Sequence, residues 1–113
     1  MPHLRFRAVE PQTVQALSST LLDDLQPLMD CPRDDFTFEY IYSTFFHEGE
    51  VTEAYPFVEV LWFDRGQEVK DKVAQAVTLR VREVIEEEVE YVAVVFTGLE
   101  GNNYYDNAEH YGK

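Results

Sequence analysis

From its second residue the chain alternates. Across residues 2–9, Leu4, Phe6 and Ala8 fall on one side and His3, Arg5 and Arg7 on the other, a two-residue period that predicts a strand. The period then changes. Val14, Leu17, Leu21, Leu25 and Leu28 recur at spacings of three and four, the apolar stripe of a helix. Glu10-Pro11 opens that helix, because proline suits the first helical position. Pro27 is expected to end it at or just before its last turn. Asp30-Cys31-Pro32-Arg33-Asp34-Asp35 reads as a turn-rich connector. Phe36, Phe38, Tyr40 and Tyr42 alternate with Thr37, Glu39, Ile41 and Ser43, a second strand rich in aromatics. Residues 47–54 read as a polar loop. Residues 56–64 are nearly continuous apolar, as in a strand buried on both faces. After Arg65-Gly66 a second helical stripe follows: Val69, Val73, Ala76, Val77, Val81, Val84 and Ile85. A last strand is expected at 91–96, then Gly98 and a polar, tyrosine-rich tail.

The order is therefore βαβ, loop, βαβ. Residues 2–46 and 55–98 form a weak internal repeat, with Pro2 and Pro56 each opening a first strand, inside one domain spanning 1–113 with a tail at 99–113. Each βαβ crossover makes its two strands parallel and is itself expected to be right-handed. Two helices on one face of a four-stranded sheet give a two-layer α/β (α+β) sandwich. The second sheet face is expected to be bare and partly aromatic, since both residue sets of the third strand are apolar. A bare apolar face predicts a homo-oligomer.

Composition narrows the partners. The 113 residues are 45% hydrophobic and 14% aromatic, enough for a core. Nine Lys+Arg stand against 22 Asp+Glu, a net charge of −13. Such a surface repels nucleic acid and anionic membranes. No apolar run approaches the ~18–20 residues that span a bilayer. The start of the chain has no charged segment leading into an apolar stretch, and Cys31 is the sole cysteine, so a cytoplasmic protein is expected. His47-Glu48-Gly49-Glu50 gathers possible metal ligands, but a solvated loop accounts for them, so no metal or cofactor is expected. Glu86-Glu87-Glu88-Val89-Glu90 reads as a solvated helix end, offset by Arg80 and Arg82. Cys31 has no nearby histidine in the turn and is expected to be inert. Ser18-Ser19-Thr20 lies within a helix and forms no nucleophile elbow.

The remaining chemistry is at Pro2. Removal of Met1 would leave a secondary amine, and burial lowers an amine's pKa from its usual ~7.7–8.0. An amine near neutrality can take and return a proton at pH 7. Keto–enol tautomerisation needs that, plus a cation or N–H donors for the enolate oxygen. Parallel first and second strands bring Arg33, Asp34 and Asp35 towards Pro2.

A Met-Pro start opening a strand, a second strand-opening proline at Pro56, the Asp30–Pro32 turn after helix one and two βαβ units resemble the tautomerase superfamily over about residues 2–98. The size class is that of macrophage migration inhibitory factor and its relatives, and the 4-oxalocrotonate tautomerase subunit is similar to one half. Small bacterial members of the superfamily are similar as well. The resemblance implies a mixed sheet, a trimer with a central barrel, pockets between subunits, and an N-terminal Pro2. It also sets strands one and three antiparallel, which brings Phe63, Asp64 and Arg65 to Pro2. Arg33 and Arg65 are then the two candidate substrate-binding cations. In the alternative they serve only as surface ion-pair partners of Asp34, Asp35 or Asp64. Those carboxylates also favour a protonated Pro2. The family's basic residue before the turn proline is Cys31 here. The pocket Tyr and Asn of the migration-inhibitory-factor group fall near Val92 and Val94. Asn102, Asn103, Tyr104, Tyr105 and Tyr111 of the tail supply either pocket groups or packing. The functional reading is a cofactor-independent tautomerase or isomerase acting on a small keto or enol carbonyl compound. Its competitors are a non-catalytic member of the superfamily and a ferredoxin-like ligand-binding module, the latter with an antiparallel sheet and a tight hairpin at 47–54.

Overall fold

The structure is a computed structural model that describes residues 2–85 and 89–112. Its elements are β1 (His3–Arg7), α1 (Pro11–Met29), β2 (Thr37–Ile41), β3 (Phe45–His47), β4 (Glu50–Thr52), β5 (Phe57–Trp62), α2 (Gln67–Val84), β6 (Ala93–Gly98), β7 (Tyr105–Asp106) and β8 (Glu109–His110), with short 3-10 turns at Arg33–Asp35 and Gly101–Asn103. The main sheet has the order β2-β1-β5-β6. β1 is parallel to β2 and β5 to β6, while β1 and β5 are antiparallel. This is the expected mixed sheet. It excludes the ferredoxin-like alternative, because each helix joins adjacent parallel strands.

One set of alternating side chains packs under the helices. Leu4 and Phe6 of β1 and Val58, Val60 and Trp62 of β5 have no exposed surface. They meet Leu17, Leu21 and Leu25 of α1 and Val73, Val77 and Val81 of α2, also fully buried. The helices are further tied by a bidentate pair. Arg80 donates from Nε to Asp24 Oδ2 at 2.5 Å and from Nη2 to Oδ1 at 3.1 Å. Those hydrogen bonds hold the Asp24 carboxyl below its usual pKa against a smaller opposing effect of burial. Among the described residues no helix is long and apolar enough to cross a membrane.

Several expectations change. α1 continues two residues past Pro27. A proline that late removes only one hydrogen bond of the last turn. Asp30 then turns left-handed, with φ 49°, and donates its N–H to Gln26 O. The expected loop at 47–54 is largely a hairpin, β3–β4, which forms a sheet of its own. Glu48 and Gly49 both have positive φ, 48° and 83°, as the two central residues of a type I′ turn require. β5 is not buried on both faces but alternates, with Phe57, Glu59 and Leu61 on the open side. That open side is not simply apolar. A polar row crosses all four strands. His3 bonds Thr37 through Nδ1 and Glu39 through Nε2, the latter at 2.8 Å. Arg5 donates to Glu39 at 3.2 Å and Glu59 at 3.4 Å, and Thr97 donates to Glu59 at 3.2 Å. The hydrogen bond from His3, helped by those from Arg5, draws the Glu39 carboxyl below its usual pKa. The acidic run at 86–88 lies outside the described residues.

Candidate functional site

β1 pairs His3 with Leu61 of β5 and with Thr37 of β2. One residue further along both registers, Pro2 sits between Phe36 and Trp62, and Thr37 donates its N–H to Pro2 O at 3.1 Å. The side chains of Pro2 and Trp62 are fully buried, and Phe36 is 8% exposed. The Trp62 indole packs on Phe96 at 5.0 Å between ring centres, and its Nε1–H is buried without an acceptor. This end of the sheet therefore surrounds Pro2 with desolvated apolar walls.

Arg65 enters from the segment after β5. Its Nε donates to Met29 O at 2.9 Å and its Nη1 to Phe63 O at 2.6 Å. The guanidinium carbon lies 5.5 Å from the centre of the Trp62 ring. Two carbonyls and an indole face thus fix the plane of the cation, and Nη2 has no protein partner among the described residues. Arg65 does not form the ion pair with Asp64 that the alternative reading expects. Asp64 instead accepts from Gly66 N at 2.7 Å and pairs with Lys70 at 3.8 Å. Lys70 Nζ also lies 5.9 Å from the Phe96 ring centre. Neither Trp62 nor Lys70 stood out in the sequence. Trp62 becomes visible only once the antiparallel β1–β5 register sets it across from Pro2.

Arg33 goes elsewhere. The 3-10 turn directs its exposed side chain onto α1, where Nη1 pairs with Asp23 at 2.9 Å. The structure thus brings Arg65, but not the Arg33 guanidinium, against the walls of Pro2. Cys31 is half-buried. Burial raises its thiol pKa more than the nearby Arg65 lowers it. Val92 and Val94 pack against the core.

The tail folds back onto this end. Phe63 meets Tyr104 at 5.8 Å and Tyr111 at 5.9 Å, and the two tyrosines meet each other at 5.0 Å. Tyr111 donates its hydroxyl to Asp106, which pushes its pKa up to about 12. Burial raises Tyr104, and the Asp35 carboxylate adds to the rise at both tyrosines. These phenols stay protonated at neutral pH and act as packing and hydrogen-bonding groups. A well-formed cleft among the described residues does not touch Pro2. It opens at the far end of β1, between Val9, Ser43 and Pro56.

A family model described as "Domain of unknown function (DUF1904)" matches residues 1–110. A comparison with curated proteins finds no match. The crystal structure of a DUF1904 domain from Sebaldella termitidis superposes with a TM-score of 0.88 at 40% identity, over 98% of this chain and 100% of that one. A macrophage migration inhibitory factor-like protein from Entamoeba histolytica superposes with a TM-score of 0.75 at 12% identity, over 97% of this chain and 98% of that one. A fused 4-OT, described as an asymmetric trimer, gives 0.77 at 11% identity, over 96% and 94%. The last two share the architecture alone. The duplicated βαβ sheet is thus that of the tautomerase-like neighbours, and by its family match the chain belongs to the DUF1904 family.

Proposed function

We propose that the chain is a cofactor-independent tautomerase or isomerase that moves a proton on a small keto or enol carbonyl compound through the amine of Pro2, freed by removal of Met1. The observation that carries this reading is the full burial of Pro2 opposite Trp62, with the Arg65 guanidinium held over that indole. Desolvation disfavours an ammonium, so a buried secondary amine is drawn towards its basic form at pH 7. The anchored Arg65 then offers Nη2 to a carboxylate or a developing enolate oxygen without reorganising. Arg33 serves as the second substrate-binding cation only by leaving Asp23, and an exposed pair of that kind is weak.

The active form in this reading is a cytoplasmic homotrimer of a single 1–113 domain, as the trimeric description of the fused 4-OT supports. In such a trimer a neighbouring subunit would add its own residues to the pocket at Pro2. With a net charge of −13, an acidic substrate depends on Arg65, Lys70 and Arg33 for its attraction.

NMR titration of the Pro2 nitrogen, on protein without a tag scar, tests the base role. A pKa clearly below ~7.7–8.0 is expected, and one at or above that range refutes it. Phenylpyruvate tautomerisation should be lost in Pro2→Gly and Pro2→Ala. Rates equal to those of the parent, or Met1 retained on protein from the natural host, refute the role of Pro2; no turnover by the parent itself decides for a superfamily member without catalysis. The engagement of Arg33 by Asp23 and the core packing of Val92 and Val94 favour that second reading.

A further inference from the structure

The two ends of the sheet are related by a local twofold. Pro2 stands opposite Trp62, and by the same register Pro56 stands opposite Ala8. Thr37 N donates to Pro2 O at 3.1 Å, and Ala93 N donates to Pro56 O at 3.0 Å. The side chains differ where the backbone matches. An indole fills the Pro2 end, whereas at the Pro56 end a methyl group takes its place. Ala8 adopts a left-handed backbone, φ 64°, which few residues other than glycine favour.

The space left is a cleft of about 780 Å³, within the range of small-molecule sites. Val9, Ile41, Pro56 and Ile85 give it apolar walls. Thr13 and Ser43 also line it. Thr13 is 9% exposed, and its hydroxyl has no partner among the described residues. The Ser43 hydroxyl is buried and equally unpartnered. Buried hydroxyls are normally satisfied, so that of Ser43 marks an unmet polar demand at this wall, and the Thr13 hydroxyl stands beside it on the cleft lining. The N-terminus of the 19-residue α1 opens here as well, which disfavours a cation. Glu10 at the rim and the overall charge disfavour an anion. No Lys, Arg or His is among the described lining residues.

We propose that this cleft binds a neutral small molecule with a carbonyl or hydroxyl head and an apolar body. The head bonds Thr13 beside the first turn of α1, and the body lies against Val9, Ile41 and Pro56. The site is separated from Pro2 by the length of β1, roughly 17 Å at about 3.3 Å per residue, and it stands whether or not Pro2 is catalytic.

The test uses the full chain and three probes of one shape: benzamide, acetophenone and benzoate. In ¹H–¹⁵N spectra the two neutral probes should give saturable shifts centred on Thr13, Ile41 and Ser43. Benzoate should bind at least about tenfold more weakly, the scale of one unfavourable polar contact. Thr13→Val should weaken benzamide by about tenfold as well. It should leave the thermal midpoint unchanged, because the hydroxyl has no partner within the fold. Ser43→Ala is the second variant, with the same midpoint expected and a smaller loss of binding. Four results overturn the proposal: no saturable shift up to about 20 mM, shifts centred on Trp62 and Arg65, benzoate binding as well as benzamide, or unchanged binding by Thr13→Val.

Discussion

Trp62 offers a sharp test of what holds the Pro2 end together. Its ring is fully buried, packs on Phe96 at 5.0 Å and leaves Nε1–H without an acceptor. Truncation to alanine removes the whole ring and leaves a cavity, a change that costs about 3–5 kcal/mol. Phenylalanine keeps the aromatic contact and loses volume worth roughly two methylenes, about 1.6 kcal/mol. It also removes a buried unpaired donor, whose desolvation costs about 1–3 kcal/mol. The two effects offset, so Trp62→Phe should lie within about 1 kcal/mol of the parent. At about 4 °C per kcal/mol for a chain this size, Trp62→Ala lowers the midpoint by about 12–20 °C and Trp62→Phe by no more than about 4 °C. Far-UV circular dichroism reads both, at one fixed protein concentration because assembly shifts a midpoint. If Trp62→Phe loses as much as Trp62→Ala, the indole N–H makes a bond that matters and the reasoning fails.

The pKa shifts yield further expectations. Tyr111 is raised to about 12, so its contribution to stability is complete below pH 10 and is lost as pH rises through 12. Ultraviolet titration at the phenolate band should show one tyrosine ionising that late, and Tyr111→Phe should abolish it. Asp24 is shifted the opposite way. Its contribution is present above pH ~4 and disappears as pH falls through the lowered folded-state value, so Asp24→Asn should flatten the acid limb of the stability curve. Burial raises the Cys31 thiol while Arg65 opposes the rise. Arg65→Gln should therefore slow iodoacetamide alkylation at pH 8 and shift its pH profile upward; an unchanged profile separates the two groups.

The sequence made the helices and the main strands legible because each buries one stripe or one alternating face. Arg65 reaches the Pro2 end because strand direction alone carries it there. Side-chain aim was less accessible. Nothing in Pro32-Arg33-Asp34-Asp35 says that a 3-10 turn will direct Arg33 back onto Asp23 of α1. The β3–β4 hairpin is foreseen only under the ferredoxin-like alternative, because its turn is Glu48-Gly49 rather than the stronger Asn-Gly or Asp-Gly signal. The polar row on the open face was hidden for another reason. Glu59 interrupts the run 56–64 only once, and its partners Arg5 and Thr97 come from strands distant in sequence. The cleft at Pro56 depends on Ala8 facing a proline 48 residues away, which only the register reveals.

The paired prolines carry one more consequence. Backbone geometry treats Pro2 and Pro56 as equivalents, but covalent bonding does not. The Pro56 nitrogen is acylated by Tyr55, which makes it a tertiary amide, neither base nor donor. Of the two, only Pro2 gains an amine under the proposed removal of Met1, and then only once per chain. Joining two like halves end to end thus fixes a chemical polarity on a nearly symmetric sheet. One end can hold a titrating nitrogen, and the other has only shape and hydroxyls with which to recognise a molecule.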